Sequence, residues 1–128
     1  MVLVCGPRLS AESLDIHKDM DIRQYVPALY EYFAASDLAV VQGGGTTTFE
    51  LTVLKKPFIF FPLVGHTEQE NVSQRLKRYN AGVRMSYLNT DAKILAEAII
   101  KNINAEVNYS NVPLDGAKNA VKLLSKFF

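Results

Sequence analysis

Apolar residues follow two rhythms along this chain. Short unbroken runs, such as Leu38-Ala39-Val40-Val41 and Phe58-Ile59-Phe60-Phe61, alternate with longer stretches in which apolar positions recur at three- or four-residue spacing. The first rhythm reads as buried strand, the second as amphipathic helix. The pattern predicts strands over Val2–Cys5, Asp21–Val26, Leu38–Gln42, Phe58–Phe61 and Val83–Met85. It predicts helices over Pro27–Ser36, Thr48–Lys55, Glu68–Tyr79, Asp91–Asn102 and Leu114–Lys126. Strands alternating with helices imply βαβ units, hence an α/β fold with a mainly parallel sheet.

The helix boundaries carry signals of their own. Pro27 suits a first helical position, where its missing N–H costs nothing. Thr47-x-x-Glu50 and Thr67-x-x-Glu70 both match the capping box. Val72, Leu76 and Tyr79 recur at helical spacing and predict one buried stripe. Lys55-Lys56-Pro57 places cations and then a breaker at the end of the third helix. No internal repeat or low-complexity segment interrupts the chain, so residues 1–128 read as one domain. The first strand follows Met1 at once, so the chain is expected to begin inside a sheet, as a fragment or half of a split protein would.

Composition narrows the class. Half the residues or nearly so, 48%, are apolar, enough for a real core. The net charge of +1 argues against a strongly basic nucleic-acid binder. The single cysteine, Cys5, excludes an intrachain disulfide, and its place in Val2-Leu3-Val4-Cys5 predicts a buried thiol in a reducing compartment. No apolar run approaches the ~20 residues of a membrane span, and the amino terminus lacks signal-peptide features. The expected location is the cytoplasm.

Gly43-Gly44-Gly45-Thr46-Thr47-Thr48-Phe49-Glu50 follows a predicted strand and opens a predicted helix. A glycine turn there lets backbone approach a ligand closely, and the helix start presents unpaired N–H groups that suit a phosphate. In open α/β sheets ligands bind beyond the carboxyl ends of the strands, where Gly43 sits. The run is neither the dinucleotide fingerprint, because Thr48 falls where its last glycine belongs, nor a P-loop. A tight packing turn is the plain alternative. Glu50 reads either as the third residue of a capping box or as a carboxylate able to accept two ribose hydroxyls. His66-Thr67-Glu68-Gln69-Glu70-Asn71 forms a second polar cluster at a strand end, and Glu68 and Gln69 offer hydrogen-bonding groups for a hydroxyl-rich ligand. An acidic first helical turn favoured by the macrodipole is the alternative there. His66 has only His17 as a fellow histidine and no cysteine partner, so no metal site is expected. Arg8, after the first strand, is a weaker phosphate candidate. Lys55-Lys56 and Lys77-Arg78 read as solvated faces.

In that order, Tyr25-Val26-Pro27, Ala35 to Val41, the glycine–threonine run to Glu50, Pro57 to Pro62 and His66 to Asn71 resemble one family. It is the carboxyl-terminal domain of GT-B glycosyltransferases of the family 28 type, which includes the N-acetylglucosaminyltransferase of peptidoglycan synthesis. The resemblance runs from about Met1 to Met85. It implies a Rossmann-like three-layer domain, one half of a GT-B architecture, that binds a UDP-sugar and takes part in transfer of a hexosyl residue. The backbone of Val26 would read the uracil. Gly44, Gly45, Thr46 and Thr47 would cradle the diphosphate, and Glu50 would hold the ribose. Glu68 and Gln69, with His66 nearby, would hold the donor sugar; the family usually carries aspartate at the place of Glu68.

The resemblance further implies transfer without a metal or other cofactor. Acceptor site and catalytic base would come from an amino-terminal domain or partner subunit, so the isolated chain is expected to be inactive. Any membrane association would be peripheral, through that partner or a lipid-linked acceptor. Two neighbouring readings share the pattern: the donor half of a split two-subunit glycosyltransferase, and a nucleotide-sugar 2-epimerase domain.

Overall fold

A computed structural model describes residues 1–15 and 17–127. The chain divides into two compact units, Met1–Tyr32 and Phe33–Phe128. All strand pairings in the described residues are parallel, in two separate ladders.

In the first unit, β1 (Val2–Val4) pairs with β2 (Asp21–Arg23), Val2 lying opposite Asp21. Both strands are shorter than predicted, although hydrogen bonding continues past them through Cys5 N–H to the Arg23 carbonyl at 2.9 Å. Cys5 is half-buried, not the enclosed thiol expected; like Leu3, two residues before it, it is only partly covered, and the strand it follows has no fully buried residue. Pro27 does not open the next helix. Ala28 takes a left-handed conformation with φ of 51°, which a right-handed helix cannot include, so α1 begins later and spans Leu29–Ala35.

The second unit is built on β3 (Ala39–Gln42), β4 (Phe58–Phe61) and β5 (Val83–Arg84), in the order β3-β4-β5. Ala39 lies opposite Phe58, and Ile59 opposite Val83. β4 is central, and all four of its residues are buried, as a continuous apolar run in a parallel sheet requires. α2 (Gly45–Val53) links β3 to β4, and α3 (Thr67–Arg78) links β4 to β5. Both crossovers step the same way along the sheet, so the right-handed rule puts both helices on one face, where they touch. α4 (Ala92–Asn102) covers β4 from the other face, its Leu95 sharing a cleft with Val40, Gln42 and Phe61. The unit thus has helices on both faces of a parallel sheet.

Phe58, Ile59 and Leu51 are essentially inaccessible, each worth about 1.5–3 kcal/mol of burial. The predicted stripe on α3 is present: Val72 and Leu76 are buried and Tyr79 half-buried. Tyr109 meets Phe58 edge-on at 6.0 Å and donates its hydroxyl to the Lys56 carbonyl at 3.0 Å. Lys55 (φ 52°) and Asn80 (φ 53°) close α2 and α3 in the left-handed conformation. The following amides, Lys56 and Ala81, bond back to the Leu51 and Leu76 carbonyls at 3.0 and 2.9 Å, the Schellman closure. Lys56 is more than a solvated cation: it is half-buried and its Nζ donates to the Ser36 carbonyl at 3.1 Å. α5 (Gly116–Leu124) is shorter than predicted and buries none of its residues. Among the described residues, no helix is long and apolar enough to cross a membrane.

Candidate anion-binding turn and adjoining polar cluster

β3 leads directly into the glycine turn. Gly43 donates its N–H to the Phe61 carbonyl at 3.2 Å. A Cβ there would lie 2.9 Å from Pro62 Cα, so the close approach of the two chains demands glycine. Gly44 is the N-cap of α2, and the space where its side chain would point is empty of protein to 4 Å. The helix therefore begins at Gly45, three residues before the predicted Thr48. The buried Thr48 explains the difference: its hydroxyl and its N–H both donate to the Gly44 carbonyl, at 2.8 and 3.2 Å. The amides of Gly45, Thr46 and Thr47 precede this first i to i−4 bond, so the helix ladder leaves them unpaired.

This geometry removes the capping box at Thr47 and Glu50. The N-cap is Gly44, which has no side chain to cap with, and Glu50 lies in the second turn. Glu50 is half-buried, and among the described residues its carboxylate has no hydrogen-bond or ion-pair partner.

The second cluster also departs from its predicted cap. His66, exposed, is the N-cap of α3 without a side-chain bond, and Thr67 is already helical. Glu70 turns instead to Arg84 on β5, in a two-pronged ion pair at 2.7 and 3.0 Å. Gln69 is buried, and its Oε1 accepts the Leu63 N–H at 2.8 Å, tying the loop after β4 to the helix. Glu68 is exposed, and its Oε1 comes within 3.9 Å of where a Gly45 Cβ would sit, with Val72 Cγ2 3.5 Å from the same point. The first turns of α2 and α3 therefore adjoin. Gly45 and Glu68 are brought together; Gln69 faces the loop; His66 has no partner in the cluster among the described residues. Val26 lies in the first unit and is buried. Arg8 lies exposed in a turn of that unit.

A cleft of about 160 Å³ is bounded by the loop Pro62 to Gly65 and by Glu70, Arg84, Met85 and Ser86. A larger one of about 430 Å³ lies under α4, between Phe61, Tyr87 and Leu95. It contains none of the turn residues, and its one carboxylate, Asp91, is spent capping α4 through the Ile94 N–H at 2.8 Å. Size is therefore a poor guide here, and the polar turn is the better candidate.

Sequence reasoning missed Arg84, since a single arginine in a short strand carries no motif. It also passed over Asp19-Met20-Asp21, an Asp-x-Asp spacing of the kind that can hold a metal-bound diphosphate. Asp21 opens β2, at the strand's amino end, and Arg23 grips its carboxylate at 2.8 and 3.0 Å. That bond holds the Asp21 carboxyl below the ordinary aspartate range.

Comparison with known proteins agrees with the α/β architecture. The pattern of the family described as "Glycosyltransferase family 28 C-terminal domain" matches residues 1–126. An uncharacterized glycosyltransferase of Methanosarcina acetivorans is 31% identical over 133 residues, which cover 97% of this chain and 35% of that protein. One from Methanopyrus kandleri is 32% identical, over 66% of this chain and 24% of its own length. A UDP-N-acetylglucosamine–N-acetylmuramyl-(pentapeptide) pyrophosphoryl-undecaprenol N-acetylglucosamine transferase of Anaeromyxobacter sp. (strain K) is 30% identical, over 66% of this chain and 23% of that enzyme. The chain thus spans about a third or less of the length of these relatives. It belongs to the glycosyltransferase family 28 C-terminal domain family.

Proposed function

We propose that this chain is the donor-nucleotide-binding domain of a UDP-sugar-dependent glycosyltransferase that transfers a hexosyl residue to an acceptor held by an amino-terminal domain or partner subunit. The observation that carries the reading is the helix start at Gly45, which leaves the Gly45, Thr46 and Thr47 amides without helical partners at the end of β3. Such a start favours an anion through its N–H groups and its dipole. Gly44, beside which no protein atom stands, leaves room for a diphosphate to approach the backbone. Glu50, with neither cap nor ion pair among the described residues, would accept the ribose hydroxyls. Glu68 reaches toward the same turn and would take hydroxyls of the sugar. The Gln69 amide, oriented by its bond to Leu63, would donate from its NH₂, and His66 would line the approach. The role of the Val26 backbone in reading uracil rests on the resemblance alone.

In the reaction, an acceptor oxygen attacks the anomeric carbon as the bond to the diphosphate breaks. Negative charge then grows on the departing diphosphate, and the amides of Gly45 to Thr47 offset it without moving. No metal enters this scheme, and Asp21, gripped by Arg23, is left out of it. The base that takes the acceptor's proton would come from the amino-terminal partner, so the chain alone binds donor without turning it over. Calorimetric titration with UDP tests the reading. Saturable binding that Glu50→Gln weakens at least tenfold is expected. The same weak affinity for UDP and for an unrelated dianion would contradict it.

A further inference from the structure

Resting on that reading of the donor site, we propose that Arg84 is a positioning residue for the donor sugar, acting through Glu70. Consecutive residues of the first turns of α3 have divided tasks. Gln69 points inward and holds the loop through the Leu63 N–H at 2.8 Å. Glu70 points to the neighbouring strand, where both its oxygens meet the two terminal nitrogens of Arg84 at 3.0 and 2.7 Å. Glu68, just before them, is the one left reaching for Gly45. Two tethers, one to the loop after β4 and one to β5, thus fix the turn from which Glu68 extends.

The two-pronged geometry matters more than the charge. A guanidinium fork fixes both the distance and the plane of a carboxylate, which a lone ammonium cannot do. Both partners are about half exposed, at 52% for Arg84 and 49% for Glu70. Such a pair contributes little to stability, so a purely stabilising role explains it poorly. It also borders the small cleft together with Pro62 to Gly65, so releasing it would loosen the wall beside the loop. Arg84 lies outside the phosphate turn and is not expected to touch the nucleotide.

The test is a pair of affinities, for UDP and for UDP-N-acetylglucosamine, in the wild-type chain, in Glu70→Gln, in Arg84→Met and in the double variant. Each single variant should leave UDP binding within about twofold and weaken UDP-N-acetylglucosamine about tenfold, the loss of one well-placed hydrogen bond. The double variant should lose no more than either single one, because both remove the same clamp. Arg84→Lys should recover only part of the loss. Equal ratios of the two affinities in all variants would overturn the positioning role while leaving the donor-site reading intact. Absence of binding of either probe to the wild-type chain would overturn the donor-site reading itself, and the positioning role with it.

Discussion

Glu68 Oε1 lies 3.9 Å from the point where a Cβ on Gly45 would project. One residue belongs to the candidate anion-binding turn, the other to the polar cluster 23 positions later. Their meeting joins two strand-end features that the sequence presents separately. It also divides the glycines by role. Gly43 is dictated by packing against Pro62, whereas Gly44 leaves open space that the fold itself does not need, and a methyl on Gly45 would make an ordinary contact with Val72.

Gly43→Ala should therefore destabilise the chain by about 1–3 kcal/mol, the usual cost of overpacking, because backbone of Pro62 stands in the way. Gly44→Ala should alter stability by less than about 1 kcal/mol, since no protein atom lies within 4 Å of its new methyl. It should nevertheless weaken UDP binding about tenfold by standing between diphosphate and amides. Denaturant midpoints and UDP titrations of both variants check the contrast. Equal destabilisation by the two would contradict this division.

Glu50→Gln should leave stability within about 0.5 kcal/mol of wild type, because Glu50 neither caps α2 nor pairs with a described residue. A charge-assisted bond to ribose is worth about 1.5–3 kcal/mol, so UDP affinity should fall by one to two orders of magnitude. Thermal melts and calorimetry on the same sample separate the effects. A melting temperature that drops while UDP affinity holds would return Glu50 to a structural role.

Much of this unit is readable from the chain, and the failures share a cause. Phe58 to Phe61 forms an unbroken apolar run and becomes the central strand; Val72 and Leu76 recur at helical spacing and are buried. These features depend on local pattern. The two Thr-x-x-Glu spacings mislead because distant or competing partners win. At α2, Thr48 bonds back to Gly44 and moves the helix start upstream. At α3, Glu70 finds Arg84, 14 residues away in sequence and one strand away in space. Pro27 misleads because Ala28 turns left-handed behind it. Glu68 was legible as a polar candidate, but its approach to Gly45 follows from the packing of two helices, which no spacing reveals.

Tyr109 supplies a pH-dependent check on the core. Burial pushes its phenol above the ordinary value of 10.0. The unfolded chain therefore releases this proton first as the pH rises. The contribution of Tyr109 to stability is complete below about pH 10 and is lost as pH climbs through the raised native value. Melting temperature should fall as the pH rises from about 10 toward that native value. Tyr109→Phe should start about 1 kcal/mol less stable, having lost the bond to the Lys56 carbonyl, and should fall less steeply over the same range. Parallel slopes for the two proteins would contradict the assignment.

The central claim is that the start of α2 is a diphosphate cradle. Amide chemical-shift mapping of the chain during titration with UDP tests it most directly. The account predicts saturable shifts concentrated at Gly44, Gly45, Thr46, Thr47 and Glu50, with Glu68 responding when UDP-N-acetylglucosamine replaces UDP. Shifts confined to α5, or none at millimolar UDP, would contradict it.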